Sequence, residues 1–451
     1  MNRTEELIQK DINHLWHPFT QMKLWPEEPP LIIEKGDKNW LIDTDGNRYF
    51  DGVSSLWVTV HGHNHPRIKA AIKDQLERLD HSTLLGLSHP LAVLLAARLA
   101  EIAPGDLKWS FYSESGSTAV EIGLKIAYQH WQQVGQTQRK TFVALENAYH
   151  GDTIGSVSVG GIDLFHKVYG PLLFDVHRLP QPHCRACRLG LKYPECDLAC
   201  ANALDDILEK HGPEVCALVV EPMMQGAAGM VAQPKGYLTR LYEIAQKHDI
   251  LFMADEVATG FGRTGKMFAC ELEGIEPDIM CMGKGITGGT LPLAATMAND
   301  RVYNAFLGDF DEFKTFFHGH TYTGNPLACA AALASLELFS ENRVLENLAA
   351  SIDHLEKGLA KIAALKHVVE IRRQGMMVGI ELALDKEADE PYEASERMGH
   401  KVIMAARKHG VIIRPLGDTV ILMPPLSSTL EELDLLLAAT EKAISEVTET
   451  A

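Results

Sequence analysis

Through the middle of the chain, short apolar runs alternate with segments whose apolar residues recur at helical spacing. The runs "TFVALEN", "VCALVVEP", "ILFMADE", "IMCMGK" and "LAATMA" are too uniformly apolar for strands with one wet face, so they predict buried strands of a largely parallel sheet. Between them, "TAVEIGLKIAYQHW" and "GYLTRLYEIAQKH" predict amphipathic helices. This alternation predicts an α/β fold with an open sheet, in which ligands bind beyond the carboxyl ends of the strands. The flanks differ. "NWLIDTDGNRYFDGVSS" predicts a hairpin turning at Asp45–Gly46, and past residue 332 helices mix with short strands such as "MMVGIEL" and "VIIRPLGDTVILMPPL". The chain thus predicts a large domain over 71–331 and a small α+β domain built from 1–70 and 332–451 together.

The 451 residues are 46% hydrophobic and 23% charged, enough to bury a large core. A formal net charge of −18 argues against nucleic acid or an anionic membrane surface as partner. The opening "MNRTEELIQKDINHLW" lacks the apolar centre of a secretion signal, and no segment offers the roughly 18 uncharged apolar residues of a membrane span. A cytoplasmic protein with no membrane partner is expected. Four of the eight cysteines crowd into "HCRACRLGLKYPECDLAC", as Cys184, Cys187, Cys196 and Cys200. Their spacing suits zinc or an iron–sulfur cluster; the alternative is a reduced surface insertion that ligates nothing. His61, His63 and His65 lack acidic companions in sequence, and no metal is expected in the catalytic site.

The run "DIMCMGKGITGG" carries an apolar strand straight into Lys284, between two glycines, and "ILFMADE" ends in Asp255. If these strands are parallel neighbours, both groups emerge at one sheet edge. A simple ion pair is one reading, although burying such a pair stabilises little. Chemistry is the other: a lysine in a dry site loses its proton and condenses with a carbonyl. In "FYSESGSTAVEIGLKIA" a strand leads through Ser113–Thr118 into a helix, and free amides at a helix N-terminus hold a phosphate dianion. Ordinary capping by Ser115 or Ser117 is the alternative there. Amine, carboxylate and phosphate cup together are what pyridoxal phosphate requires: a lysine for its aldehyde, an acid for its pyridinium nitrogen and amides for its phosphate.

"FMADEVATGFGRTG", "GKGITGG", "SGSTAVEIGLKIA" and "HGHTYTGNPLACAAAL" together resemble the subgroup III aminotransferases among the fold-type I pyridoxal phosphate enzymes, over nearly the whole chain. Within that family, "LWHPFTQM", "YFDGVSSLWVTVHGHNHP", "NAYHGDTIGSVSVGG" and "IRPLGDTVILMPP" are similar to the branch that aminates 8-amino-7-oxononanoate in biotin biosynthesis. The resemblance implies that Lys284 carries the cofactor and shuttles protons, that Asp255 pairs with its ring nitrogen, and that Gly116 and Ser117 bind its phosphate. It implies that His320 and Thr321, after Gly319, reach that phosphate from a neighbouring subunit, making a homodimer with shared sites. It also implies that Tyr149 lies against ring and substrate, oriented by Asp152, and that Gln225 approaches the ring hydroxyl. Each has a plainer reading: Tyr149 as a core aromatic, Gln225 as a loop brace, Arg263 as a structural ion-pair partner.

The partners implied are a small-molecule keto acid and an amino donor, bound in turn to one pocket with ping-pong kinetics. Arg414 in "VIIRPLGD" offers a fork for the acceptor's carboxylate, the alternative being a surface arginine with a packed stem. Trp16, Phe19 and Trp57 would supply an apolar wall between Arg414 and the cofactor, with Gly319 also near substrate. Family members that use S-adenosylmethionine carry a tyrosine where this chain has Phe19 and a tryptophan where it has Leu56. Both differences point toward lysine as donor, and both donors stay open. Other readings are an aminotransferase for another ω-amine or diamine, and a non-catalytic protein that keeps the fold for binding or regulation.

Overall fold

The computed structural model describes residues 1–449. A seven-stranded sheet forms its centre: β1 (Trp109–Ser113), β2 (Thr141–Leu145), β3 (Val176–Leu179), β4 (Val215–Val220), β5 (Leu251–Asp255), β6 (Ile279–Met282) and β7 (Ala294–Ala298). Across the sheet they lie in the order β1-β7-β6-β5-β4-β2-β3. Every neighbouring pair is parallel except those made by β7, which runs antiparallel to both β6 and β1. The "LAATMA" run is thus a reversed strand in an otherwise parallel sheet. The reason lies in its connection. A parallel neighbour needs a long crossover, usually a helix, whereas 283–293 holds only the 3₁₀ turn Lys284–Thr287 before β7 begins.

Both faces of the sheet are dry, as the uniform apolar runs predict. On one face Val143, Leu145, Leu218, Val220, Phe252, Ala254, Met280 and Met282 join the main core; on the other Phe142, Ala144, Ala217, Val219, Leu251, Met253, Ile279 and Cys281 pack with a second cluster. Alternate residues of each strand therefore bury in opposite directions. Helix α1 (Gly116–Gln133) covers the second face through Val120, Leu124, Ala127 and Trp131. It lies so close that a Cβ at Gly123 would come within 2.5 Å of Met253 Cε. Helices α2 (Ala199–His211) and α3 (Tyr237–Lys247) bury Leu204, Leu208, Leu238 and Leu241 in the main core. Among the described residues, no helix is long and apolar enough to cross a membrane.

The two ends of the chain meet. Strands Ile33–Asp37, Trp40–Asp43 and Arg48–Asp51 form an antiparallel meander that includes the expected hairpin, and Val411–Ile412 pairs in parallel with its third strand. Val368–Gln374, Met377–Leu382, Thr419–Leu422 and Arg414–Leu416 make a second, antiparallel sheet with Arg414 on its edge strand. Arg263, fully buried, ties these parts together: its Nη atoms donate to the carbonyls of Pro424 (2.7 Å) and Thr59 (2.8 Å). Burial draws its pKa down to about 10. It serves as a backbone clamp in place of the ion-pair role its sequence context suggested.

Candidate active site

Asp255 ends β5 and stands in register with Cys281 of the parallel neighbour β6; three residues on is Lys284. Lys284 has φ +41°, a conformation that β-carbon-bearing residues adopt at a cost and that turns its side chain out of the strand direction. Its Nζ sits 4.7 Å from the Trp57 ring centroid. Burial lowers the amine's pKa to about 8, against the pull of Asp255 and Glu221. Trp57 is delivered by a tight turn in which Ser54, Ser55 and Trp57 all have positive φ (52°, 58° and 66°). The turn is held by both Asp51 oxygens, which accept from the Ser55 amide at 2.9 and 2.8 Å, and by Ser54 Oγ donating to the Met423 carbonyl at 2.7 Å.

Asp255 is itself braced. Oδ2 lies 2.7 Å from His150 Nδ1, and Oδ1 accepts from the Val257 amide at 3.1 Å. A second buried acid, Glu221, lies just past the end of β4 and accepts from the amides of Tyr149 (3.2 Å) and Gly226 (3.0 Å). Burial pushes Glu221 up to about 7, opposed by His150 and reinforced by Asp255. Neither His150 nor Glu221 was singled out from sequence. The signals were present: His150 stands inside "AYHGDT", and Glu221, like Asp255, is an acid directly following an apolar strand.

The N-terminus of α1 opens onto the same space. A cavity of about 470 Å³ is walled by Ser115, Gly116 and Ser117, by residues 149–153, and by Trp57, Glu221, Asp255 and Lys284 among others. Ser117 Oγ accepts from the amides of Asp152 (3.0 Å) and Thr153 (2.9 Å) and donates to Thr153 Oγ1 (3.0 Å), fixing the facing loop. Gly116 is needed for close approach, since a Cβ there would meet Val257 Cγ1 at 2.4 Å. The Tyr149 hydroxyl donates to Asp152 Oδ2 at 2.8 Å.

A second cavity, about 310 Å³, adjoins the first through Trp57, Tyr149, Ala227 and Lys284, and continues past Phe19, Leu56 and Phe165 to Arg414. Phe165, which sequence reasoning missed, links the aromatics: its ring lies 5.2 Å from that of Phe19 and 6.3 Å from that of Tyr149. Trp16 does not join this wall; it is 89% exposed. Arg414 is half-buried, its pKa lowered by desolvation, and it makes no hydrogen bond or ion pair among the described residues.

Other expected residues lie outside these cavities. Gln225 is fully buried, with Nε2 donating to the Glu146 carbonyl at 3.0 Å and Oε1 without a partner. Gly319 and Thr321 are exposed, and His320 Nε2 lies 2.8 Å from a Glu114 carboxylate oxygen. The three histidines of 61–65 do not converge: His61 bonds to the Ser335 carbonyl at 3.0 Å, while His63 finds an acid absent from its local sequence, Asp51 at 2.8 Å.

The residues fit pyridoxal phosphate. An amine of lowered pKa, a buried acid held by an imidazole, and a helix N-terminus with no Cβ at its first residue converge on one cavity. Two of the wall residues, His150 (Nε2) and Trp57 (Nε1), keep buried polar atoms with no hydrogen-bond partner among the described residues.

The family model for class-III aminotransferases matches residues 22–444. A relative from Nitratidesulfovibrio vulgaris, named adenosylmethionine-8-amino-7-oxononanoate aminotransferase, is 55% identical over 99% of this chain and 83% of its own. The crystal structure of a protein of that name from Methanocaldococcus jannaschii superposes with a TM-score of 0.94 at 45% identity, covering 98% of this chain and 99% of the other. A PLP-bound amine transaminase from an uncultivated Pseudomonas species superposes with a TM-score of 0.90 at 36% identity, covering 96% and 99%.

Proposed function

The chain belongs to the class-III aminotransferase family of pyridoxal phosphate enzymes, and from that premise we propose that it aminates 8-amino-7-oxononanoate to 7,8-diaminononanoate in biotin biosynthesis. The observation that carries the substrate assignment is Arg414, a guanidinium with no hydrogen bond or ion pair among the described residues, at one end of an aromatic-walled cavity that has Lys284 at the other. An aliphatic keto acid suits both ends. Its carboxylate pairs with the Arg414 fork, its methylenes lie along Phe19, Phe165 and Trp57, and its carbonyl carbon faces Lys284.

Bound pyridoxal phosphate supplies the electron sink that lets a proton leave the amine-bearing carbon. Lys284 would anchor its aldehyde, and Asp255, held by His150, would keep its ring nitrogen protonated. The amides of Gly116 and Ser117 would receive its phosphate, the Thr153 hydroxyl being spent on Glu121 Oε2 at 2.7 Å, and Gln225 would approach the ring hydroxyl. Lys284, whose pKa burial lowers to about 8, would take the proton from the donor's carbon with Nζ and then return one to the acceptor's. Tyr149, Trp57 and Phe165 exclude water from that exchange. Donor and acceptor use the same pocket in turn, so the kinetics are ping-pong.

The donor has two supported readings. The relatives' name supports S-adenosylmethionine, and Phe19 with Leu56 supports lysine. Mixing the cofactor-loaded enzyme separately with each, and following loss of its visible absorbance, discriminates between them. The exposed loop bearing Gly319, His320 and Thr321 also carries exposed Phe313, Phe317 and Tyr322, which supports a homodimer in which this loop completes a neighbour's phosphate site. A cytoplasmic setting goes with this reading. The likeness to an amine transaminase favours one rival, transfer to simpler carbonyl acceptors. Product analysis with 8-amino-7-oxononanoate against pyruvate and 2-oxoglutarate decides: preferred transfer to pyruvate overturns the proposal.

A further inference from the structure

The segment 180–198 joins β3 to α2 with turns alone, and it and the first turn of α2 carry Cys184, Cys187, Cys196 and Cys200. The other four cysteines are buried in the core. Leu189, Leu191 and Tyr193 are exposed, so the segment buries little apolar surface of its own. Ordering such a loop costs backbone entropy, and an irregular segment this long normally has a function or a staple. Its first half is anchored: His183 Nε2 lies 2.9 Å from Glu370, Arg185 reaches Glu381 at 3.0 Å, and Arg188 reaches Glu146 at 2.7 Å. The second half has few such anchors, among them Tyr193 Oη to the Lys235 carbonyl at 3.3 Å and Arg240 to Asp197 at 3.5 Å.

The two cysteine pairs lie near each other in the fold. Cys184 has Cys187 and Cys196 as electrostatic neighbours, and Cys200 has Cys184 and Cys196. A turn follows the first pair, with the Gly190 amide on the Cys187 carbonyl at 2.9 Å, and another lies within the second, with the Ala199 amide on the Cys196 carbonyl at 3.1 Å.

We propose that Cys184, Cys187, Cys196 and Cys200 bind one zinc ion as a four-thiolate site that staples this loop to the enzyme. The C-x₂-C-x₈-C-x₃-C spacing supplies two close pairs, and four thiolates satisfy tetrahedral zinc. Transamination moves no single electrons, so a redox-inert ion serves better here than an iron–sulfur cluster. In any three of these sulfurs, at least one pair lies farther apart than 4.8 Å among the described residues. That exceeds the about 3.8 Å edge of a tetrahedron with Zn–S bonds of about 2.3 Å, so binding requires the thiols to draw together.

The nearby group His183, Glu370 and Glu381 is the one whose ligand atoms already lie within 4.8 Å of one another, but Arg185 and Arg372 supply its positive charge. Arg372 continues the brace toward the active site, donating to the Gly229 carbonyl at 3.0 and 2.8 Å, two residues from Ala227 of the cavity wall.

The test uses the full chain, loaded with pyridoxal phosphate and purified without chelators. Elemental analysis is expected to find about one zinc per chain, and zinc-edge X-ray absorption four sulfurs at about 2.3 Å. Cys184→Ser and Cys196→Ser should each retain less than about a tenth of that zinc and melt several degrees lower, while the visible absorbance of bound cofactor persists. Zinc below about 0.1 per chain in wild-type protein from zinc-supplemented cells overturns the proposal, as do iron with sulfide, disulfides among these four residues, or full zinc in both variants. Should the variants fail to fold, the wild-type metal content and absorption spectrum decide alone.

Discussion

Asp255 Oδ2 and His150 Nδ1 meet at 2.7 Å, both side chains buried, with Asp255 at the end of β5 and His150 on the loop after β2. The imidazole gives the carboxylate a fixed orientation and a donor, so that its charge faces the cavity. Replacing Asp255 with Ala should lower kcat/KM by at least about 10³-fold, because a preorganised charge beside the reacting system is lost. His150→Asn, which keeps a donor without the ring, should cost about 10- to 100-fold and shift the visible absorption of bound cofactor. An His150 variant with the wild-type spectrum and rate would show that the pairing is only structural.

Lys284 titrates at about 8 in place of the ordinary lysine value, through desolvation beside Trp57. The neutral amine is the reactive form, so recombination of cofactor-free protein with pyridoxal phosphate should accelerate with rising pH and level off above about 8. A rate still climbing at pH 10, measured by stopped-flow absorbance, would contradict the shift. Lys284→Ala should abolish turnover and leave far-ultraviolet circular dichroism unchanged.

Glu221 has its folded pKa raised by burial to about 7, from an ordinary glutamate value of 4.5. Between those values the folded chain holds a proton that the unfolded chain has lost, so this group's contribution to stability declines as pH rises from about 4.5 to about 7 and stays low above it. Glu221→Gln removes that decline. Measured on cofactor-free protein, the melting temperature of the variant relative to wild type should be higher at pH 8 than at pH 5; an equal difference at both would refute the assignment.

The Arg414 guanidinium makes no hydrogen bond or ion pair among the described residues, which leaves its fork for a carboxylate. Arg414→Ala should raise KM for the keto acid by about 30- to 100-fold, the worth of a charge-assisted fork, with little change in cofactor content. Arg414→Lys should recover only part of the loss. With the methyl ester of the acceptor, wild type and Arg414→Ala should converge, and a persisting gap would place the effect elsewhere.

If Thr321 serves a neighbour's site, two defective chains can rescue each other. Lys284→Ala mixed equally with Thr321→Glu, then unfolded and refolded together, forms heterodimers with one intact site each. About a quarter of wild-type activity should return. No activity above that of the separate variants would remove the shared-site reading.

Much of this was legible in sequence because it depends on local order. Apolar runs bounded by glycine and acids named β2, β4, β5 and β6, and two strand ends named Asp255 and Lys284. The cup at Ser115–Ser117 was legible because a strand running directly into a capped helix leaves few other conformations. β7 was read as a strand, yet its direction was not, since periodicity carries no sense of parallel or antiparallel. That sense came from a connection too short for a crossover.

By itself the chain determined which residue types could meet a phosphate, an aldehyde and a carboxylate, since those are properties of side chains and of the strand or helix ends that carry them. Tertiary structure alone decided the company they keep. His150 reaches Asp255 across 105 residues, Phe165 bridges Phe19 and Tyr149, and Arg414 arrives on an edge strand from the far end of the chain without a counter-ion among the described residues. Such pairings, and the desolvation that moves Lys284 and Glu221 toward neutral pH, depend on how distant segments pack, and local pattern does not encode that distance.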